Sequence, residues 1–418
     1  MKFLKASFLS GISVAVKSAG SFVINKLVAV FYGPDGITLL AHFQNFLSIF
    51  LTLPTDGINR GLIKHLSDKE VNNHRYRSIF WAALLLNLLT FLVIALVVLV
   101  FRSYFTELFS AGLSEGFWLM AIFVAILFHL LNYFFLSVLL SAGKLKAYVW
   151  INVLSTVIAV GILVPALYSG ATGPVLLAYA FGPPSLFWVA ILLSIKVKPV
   201  LRLLRDFRPE WKSFKSLWGF VLMAGSVVVF GKTVDFFVRD FVIDRFELFQ
   251  TGLWQGVAKF SDYYSVAFVT IISTVYYPKV SEIINDKAAL SAYVRHVMKV
   301  LTPILAVGLL VIYFLREFIL ELFFDTRFKE GAFLMDYQLL GDFFKMLSYI
   351  LSFIISAQAR TWLFIWSQAA SAALYVVLIL IATELWGLEG LTIAHAIRFA
   401  CYLLFTVVVY KGIVFGLK

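Results

Sequence analysis

The stretch "GKTVDFFVRD", residues 231–240, puts Lys232, Asp235, Arg239 and Asp240 into a segment otherwise written in Val, Leu and Phe. At 100° per residue, Lys232, Asp235 and Arg239 fall within an arc of about 60°, while Phe230, Val234, Phe237 and Phe241 fall opposite. One face is charged and the other suits hydrocarbon. An ionised side chain at the centre of a lone membrane helix costs roughly 2.5–3.5 kcal/mol. A helix divided in this way therefore reads as a membrane span that turns its charges toward a protein interior.

The rest of the chain has the same character. Of 418 residues, 61% are hydrophobic and only 14% charged, and the mean hydropathy is +0.93, which marks a polytopic all-α membrane protein. Apolar windows of about 20 residues predict twelve transmembrane helices, beginning near residues 8, 38, 78, 116, 147, 172, 216, 252, 297, 334, 362 and 389. Gly33-Pro34-Asp35-Gly36 separates the first two, Gly182-Pro183-Pro184 interrupts the sixth, and Gly387 with Gly390 precedes the last. Pro54 and Pro278 mark candidate kinks. The first helix keeps Lys17 and Lys26 and lacks a small-residue cleavage site, so it is expected to be retained.

Counting charges by side sets the orientation. With both termini cytoplasmic, 23 of the 35 basic residues lie inside and five outside, as the positive-inside rule requires. The net charge of +12 is then a topology signal, and nucleic acid is not an expected partner. The longest polar connection, about 196–215, carries Lys196, Lys198, Arg202, Arg205, Arg208, Lys212 and Lys215 and follows the sixth span. It divides the chain into two six-helix bundles, 1–200 and 201–418. The single Cys401 excludes an intramolecular disulfide.

Seven basic residues stay within the spans: Lys17, Lys26, Lys232, Arg239, Lys259, Lys345 and Arg398. Span eight places Gln255, Lys259 and Asp262 on one arc. Span ten does the same with Gln338, Gly341, Asp342, Lys345 and Ser352, and span twelve with His395, Arg398 and Tyr402. Span one carries a stripe of Ser10, Ser13, Lys17, Gly20 and Ser21, with Lys26 on its opposite side. Lys232 with Asp235, Lys259 with Asp262, and Asp342 with Lys345 are i, i+3 pairs, open to reading as helix-packing ion pairs or as switchable, ion-coupling ones. Arg239 and Lys26 lie near outer span ends, where snorkelling is the alternative to a cavity role. His42 and His129 read as packing residues.

The absence of HExxH, CxxC, GxSxG and Walker A patterns leaves no catalytic residues, cofactor or metal to expect. Movement without an ATP site draws on an ion gradient, with Asp235, Asp262 and Asp342 as the candidate carriers. Seven intramembrane cations against these three acids argue for an anionic substrate, since Lys and Arg in a wet cavity are natural partners of phosphate.

The stretches "KASFLSGISVAVKSAGSFVINKLVAVFYGPDGI", "GLWQGVAKFSDYY" and "YQLLGDFFK" together resemble the Wzx-type flippases of bacterial polysaccharide synthesis, most closely the lipid III branch, within the superfamily that includes multidrug and toxic compound extruders (MATE). That resemblance implies two six-helix bundles around a central V-shaped cavity. It also implies alternating access, with an undecaprenyl-diphosphate-linked oligosaccharide (lipid III or an O-antigen repeat unit) moved from the cytoplasmic to the periplasmic leaflet of the inner membrane. H+ or Na+ is the expected coupling ion; membrane lipids, a polysaccharide polymerase and a chain-length regulator are the other expected partners. On this reading Lys17, Lys26, Arg239, Lys345 and Arg398 contact substrate, and Gln255 and Gln338 add neutral polar groups. "AHFQNF", residues 41–46, lacks an Arg of the lipid III branch, which leaves the glycan open. A cation or drug antiporter and a membrane polymerase are the alternatives.

Overall fold

The computed structural model describes residues 2–67, 73–197, 207–358 and 360–415. Lys69, Lys198, Arg202, Arg205 and Lys418 among the inner-side charges, and with them part of the 196–215 connection, lie outside the described residues. Helices account for nearly all of the described residues, and no strand occurs among them.

In chain order the helices are α1 (Lys2–Thr52), α2 (Arg60–Leu66), α3 (Asn73–Val100), α4 (Arg102–Phe109), α5 (Glu115–Ser141), α6 (Leu145–Leu167), α7 (Thr172–Phe181), α8 (Phe187–Val197) and α9 (Trp211–Val227). They continue with α10 (Val234–Ile271), α11 (Tyr277–Glu282), α12 (Lys287–Phe314), α13 (Arg316–Phe323), α14 (Met335–Ala357), α15 (Thr361–Trp386), α16 (Gly390–Val409) and α17 (Lys411–Phe415).

Eight helical runs among the described residues are long and apolar enough to cross a membrane. Three of them, 11–66, 211–282 and 362–409, each hold two span-length segments. The backbone leaves the helical region at Gly33 (φ 64°), Glu247 (φ 60°) and Gly387 (φ 57°), and glycine meets that demand without a Cβ penalty. Broken at Gly182-Pro183-Pro184, α7 and α8 supply one further span, bringing the number to the twelve that hydropathy gives. The ninth begins ten residues earlier than the apolar window, because Asp286 caps α12: its Oδ1 accepts from the amides of Ala288 and Ala289, at 3.0 Å each.

Three π turns interrupt spans two, seven and eight, at Leu53–Asn59, Val228–Thr233 and Ile272–Tyr276. Pro54 opens the first and Pro278 follows the third. A proline ring supplies no N–H to the helical ladder, and the wider turn absorbs the mismatch.

By contact the chain forms two units. Unit 1 comprises Met1–Phe31 and Leu39–Phe236; unit 2 comprises Tyr32–Thr38 and Phe237–Lys418. In unit 1 the core is built from Ile58, Leu62, Phe80, Phe134, Leu139 and Leu217. Helix α9 belongs to it, with Ser213 Oγ 2.7 Å from Ser78 Oγ and the Ser216 carbonyl 3.3 Å from His65 Nε2. Outward faces stay apolar, as in Leu92 and Leu96 of α3, both more than 60% exposed. A hydrocarbon surround makes that inversion favourable.

In unit 2, Ile272, Tyr276, Val280, Leu290, Ile350 and Ile354 form the core. The turn at residues 32–38 packs here: the Thr38 hydroxyl donates to the Leu248 carbonyl at 2.8 Å, beside the break at Glu247. The Thr251 hydroxyl donates to the Glu247 carbonyl at 2.6 Å and closes the same corner.

Candidate functional site

Unit 2 holds a buried polar network centred on Asp342, which is fully buried. Helix α14 sets Gln338, Asp342 and Lys345 at i, i+4 and i+7, on one face. Gly341 lets α16 approach that face, since a Cβ there would collide with the His395 ring and the Ala396 backbone. The close crossing brings His395 Nε2 to 3.0 Å from Asp342 Oδ1. Helix α10 closes the other side, with Ser261 Oγ donating to Asp342 Oδ2 at 2.6 Å and the Tyr264 hydroxyl at 2.5 Å.

Gln338 completes the shell. Its Nε2 lies 3.4 Å from each Asp342 oxygen, 3.3 Å from Ser261 Oγ and 3.2 Å from His395 Nε2. Lys345 Nζ stands 3.9 Å from Asp342 Oδ1 and donates to Ser265 Oγ at 3.2 Å. A carboxylate removed from water is tolerated only when its lone pairs are met in this way. The two stretches "GLWQGVAKFSDYY" and "YQLLGDFFK" thus meet in space: Ser261 and Tyr264 of the first complete the shell of Asp342 in the second.

The other intramembrane cations of unit 2 have neighbours of their own. Arg398 Nε donates to Ser371 Oγ at 2.9 Å, with the guanidinium 4.6 Å from the Tyr375 ring centre and 5.1 Å from that of Phe399. Lys345 approaches the Phe399 ring as well. Arg239 Nη2 donates to Gln255 Oε1 at 3.0 Å, joining spans seven and eight. Lys259 is half-buried within electrostatic reach of Arg239 and Asp262, and the Asp262 side chain is exposed.

Unit 1 presents a different site. A cavity of about 220 Å³ is lined by Lys17 and Ser21 of α1, Asn132 and Tyr133 of α5, Ser155 of α6 and Tyr179 of α7, among others. Lys17 is exposed into it. Half-buried Lys26 stays outside the lining. Asn132 Nδ2 donates to the Pro183 carbonyl at 3.5 Å, so the break that interrupts span six also orients a cavity amide.

The structure separates one sequence pair. Lys232 lies in the π turn Val228–Thr233 and Asp235 in the first turn of α10, both half-buried, and neither joins an ion pair within 4.0 Å. A π turn takes in an extra residue, so bearings counted at 100° slip across it. Phe230 and Phe237 are exposed, on the face the sequence assigned to lipid.

Sequence reasoning passed over Ser261, Tyr264 and Ser265, and counted His395 only as part of a polar face. It also passed over Asn132, Asn152, Ser155 and Thr156. A signal existed for the last three, which with Ala159 follow the i, i+3, i+4, i+7 spacing of one helix face. For Ser261 and Tyr264, flanking Asp262, there was none, because their partner lies 78–81 residues away.

This helical arrangement is shared with solved membrane transporters. The chain superposes on the lipid II flippase MurJ in its inward closed conformation with a TM-score of 0.72 at 14% identity, covering 98% of this chain and 87% of that one. On an inward-facing multidrug resistance MATE family transporter of the MOP superfamily the score is 0.77 at 11% identity, covering 97% and 99%. The fold is therefore that of the MOP-type transporters, two six-helix bundles. The chain belongs to the polysaccharide biosynthesis protein family, whose model matches residues 27–332. It is 25% identical over 390 residues to the lipid III flippases of Escherichia coli (strain K12) and Shigella flexneri, covering 90% of each chain.

Proposed function

We propose that this protein is an inner-membrane flippase that moves an undecaprenyl-diphosphate-linked oligosaccharide from the cytoplasmic to the periplasmic leaflet, with both termini cytoplasmic. The observation that carries the reading is the match along 90% of the chain to lipid III flippases. The chemistry agrees with it. Arg239, Lys345 and Arg398 put three cations into unit 2, and ammonium and guanidinium groups are suited to a diphosphate. An extruder of lipophilic cations would call for an acidic excess instead.

The six-helix halves, 1–200 and 201–418, would alternate access to the two sides. Asp342 is the coupling carboxylate we favour. Lys345 Nζ, 3.9 Å away, already supplies a positive charge beside the carboxylate, which favours H+ over Na+. Protonation of Asp342 would release Lys345 and His395 from their shared partner and make the cations available to the diphosphate. Asp262, exposed beside Lys259, offers a second acid for the same exchange.

Complementation of a strain lacking its lipid-linked oligosaccharide flippase tests this directly. Wild-type protein restores surface polysaccharide, and Lys345→Ala or Arg239→Ala abolishes it. Normal display by both variants would remove these cations from the site. Altered sensitivity to lipophilic cationic drugs without restored display would favour a cation antiporter, and altered glycan chain length after translocation a polymerase.

A further inference from the structure

At the end of unit 1 that the charge count assigns to the cytoplasm, the starts of α3 and α9 are tied together. Ser78 Oγ lies 2.7 Å from Ser213 Oγ and accepts the amide of Glu210 at 3.1 Å. One turn further along α9, the Ser216 carbonyl lies 3.3 Å from His65 Nε2. Beside these contacts is a cavity of about 340 Å³, lined by His74 and Arg75 of α3 and by Glu210, Lys212, Ser213 and Ser216 at the start of α9.

The charges of the lining narrow the ligand. His74, Arg75, Glu210 and Lys212 are all exposed, so their polar ends can meet something outside the chain. Glu210 is the one acid among the described lining residues, and its Oε1 already faces His74 Nε2 at 3.4 Å. Arg75 and Lys212 against that carboxylate leave an excess of one positive charge with His74 neutral. A phosphodiester carries a single negative charge and matches the excess, with oxygens that accept from ammonium and guanidinium groups. A phosphomonoester or diphosphate brings more charge than the lining balances, and a zwitterionic headgroup brings no net charge to match it.

The surroundings say where such a phosphodiester comes from. Trp211, between Glu210 and Lys212, is exposed, and Trp218 and Leu222 follow it at i+7 and i+11 on one exposed stripe of α9. Phe207 is exposed as well and stands edge-on to the Trp81 ring, with centroids 4.8 Å apart. Indole rings at a span end sit at headgroup level, and the apolar stripe beyond them suits acyl chains. Basic pockets between membrane helices on the cytoplasmic side are a recurrent setting for anionic headgroups.

We propose that this cavity holds the headgroup of an anionic phospholipid of the phosphatidylglycerol class. The phosphodiester lies between Arg75 and Lys212, the glycerol hydroxyls turn toward Ser216, and the acyl chains run along the stripe of Trp211, Trp218 and Leu222. The bound lipid bridges α3 and α9. It belongs to the surrounding leaflet, so the inference stands apart from the flippase reading and from the Lys17 cavity and the Asp342 network.

The test is native mass spectrometry of the full-length protein in detergent, with phosphatidylglycerol, phosphatidylethanolamine of the same acyl chains and inorganic phosphate as probes. The wild type binds phosphatidylglycerol about tenfold more tightly than phosphatidylethanolamine, as a cationic site near the membrane surface requires. Arg75→Gln combined with Lys212→Gln brings the two lipids to near equality, and Glu210→Gln, which removes the acid, tightens phosphatidylglycerol binding. Lys212→Gln alone weakens it several-fold and serves if the double variant does not fold. Lys287→Gln combined with Lys299→Gln takes the same charge from exposed positions on α12 and leaves binding unchanged. Equal affinity for the two lipids in the wild type, or unchanged binding by the Arg75 and Lys212 variants, overturns the proposal. Equal weakening by the α12 pair overturns it in favour of a general basic surface, and displacement of the lipid by inorganic phosphate in favour of a free anion.

Discussion

Unit 1 and unit 2 both bury polar side chains within membrane-length helices, but they satisfy them differently. In unit 2 Asp342 is surrounded by Ser261, Tyr264, Gln338, His395 and Lys345, drawn from α10, α14 and α16, so both carboxylate oxygens have protein polar groups at hand. In unit 1 the cavity by Lys17 keeps Asn132 Oδ1 and Ser155 Oγ unmatched. The first arrangement holds helices together and changes only when a proton or an anion competes for its members. The second leaves buried polar atoms unpaired on residues that line a cavity. A closed network meets the desolvation of its members with internal bonds, whereas an unpaired buried group carries that cost uncompensated.

That contrast can be broken most forcefully at its closed end. Asp342→Ala leaves Lys345 and His395 without their acceptor in a buried site, a loss of about 3–5 kcal/mol for a broken buried pair. The expected result is a large drop in thermal unfolding temperature in detergent together with lost complementation. Asp342→Asn keeps the shape and recovers most of the stability but not transport. Equal unfolding temperatures for wild type and Asp342→Ala would show that the network holds nothing together.

The next largest effect is at the helix crossing. Gly341→Ala pushes a methyl group into the His395 ring and the Ala396 backbone, an overpacking that costs about 1–3 kcal/mol. It should also disturb the His395 to Asp342 contact, read as reduced complementation at normal expression.

A smaller and opposite effect is expected at Glu247. Its φ of 60° and ψ of 173° lie in a region occupied almost wholly by glycine, where other residues cost on the order of 1–3 kcal/mol. Glu247→Gly relieves that strain while adding chain entropy to the unfolded state, for a net gain of about 1 kcal/mol. A raised unfolding temperature in detergent checks it.

The smallest stability effect belongs to the open end. Lys17→Met changes stability by no more than about 0.5 kcal/mol, as for an exposed residue outside any network, yet lowers transport. Destabilisation as large as that of Asp342→Ala would place Lys17 in a packing role and erase the distinction between the units.

Much of unit 2's site was legible beforehand. Gln338, Asp342 and Lys345 share a helix face by spacing alone, and a charged face in an apolar helix has to find a polar interior. Tyr264 and Ser261 were not legible, since nothing near Asp262 says that its neighbours will reach across to α14. Lys232 and Asp235 show the reverse failure. Their phase was counted through a π turn, whose extra residue comes from a local departure from 3.6 residues per turn that periodicity assumes away.

The sequence by itself determined the twelve spans, their breaks at Gly33 and Gly387, and the excess of positive charge within them, because hydrocarbon admits only helices and makes each ionised residue costly enough to need a reason. Only the tertiary structure decided which polar groups close on one another and which stay open. That choice depends on distances between helices far apart in the chain. Gly341 brings His395 to Asp342, and the Pro183 carbonyl takes the Asn132 amide nitrogen, so that one acid is enclosed by donors and one amide oxygen is left buried without a partner.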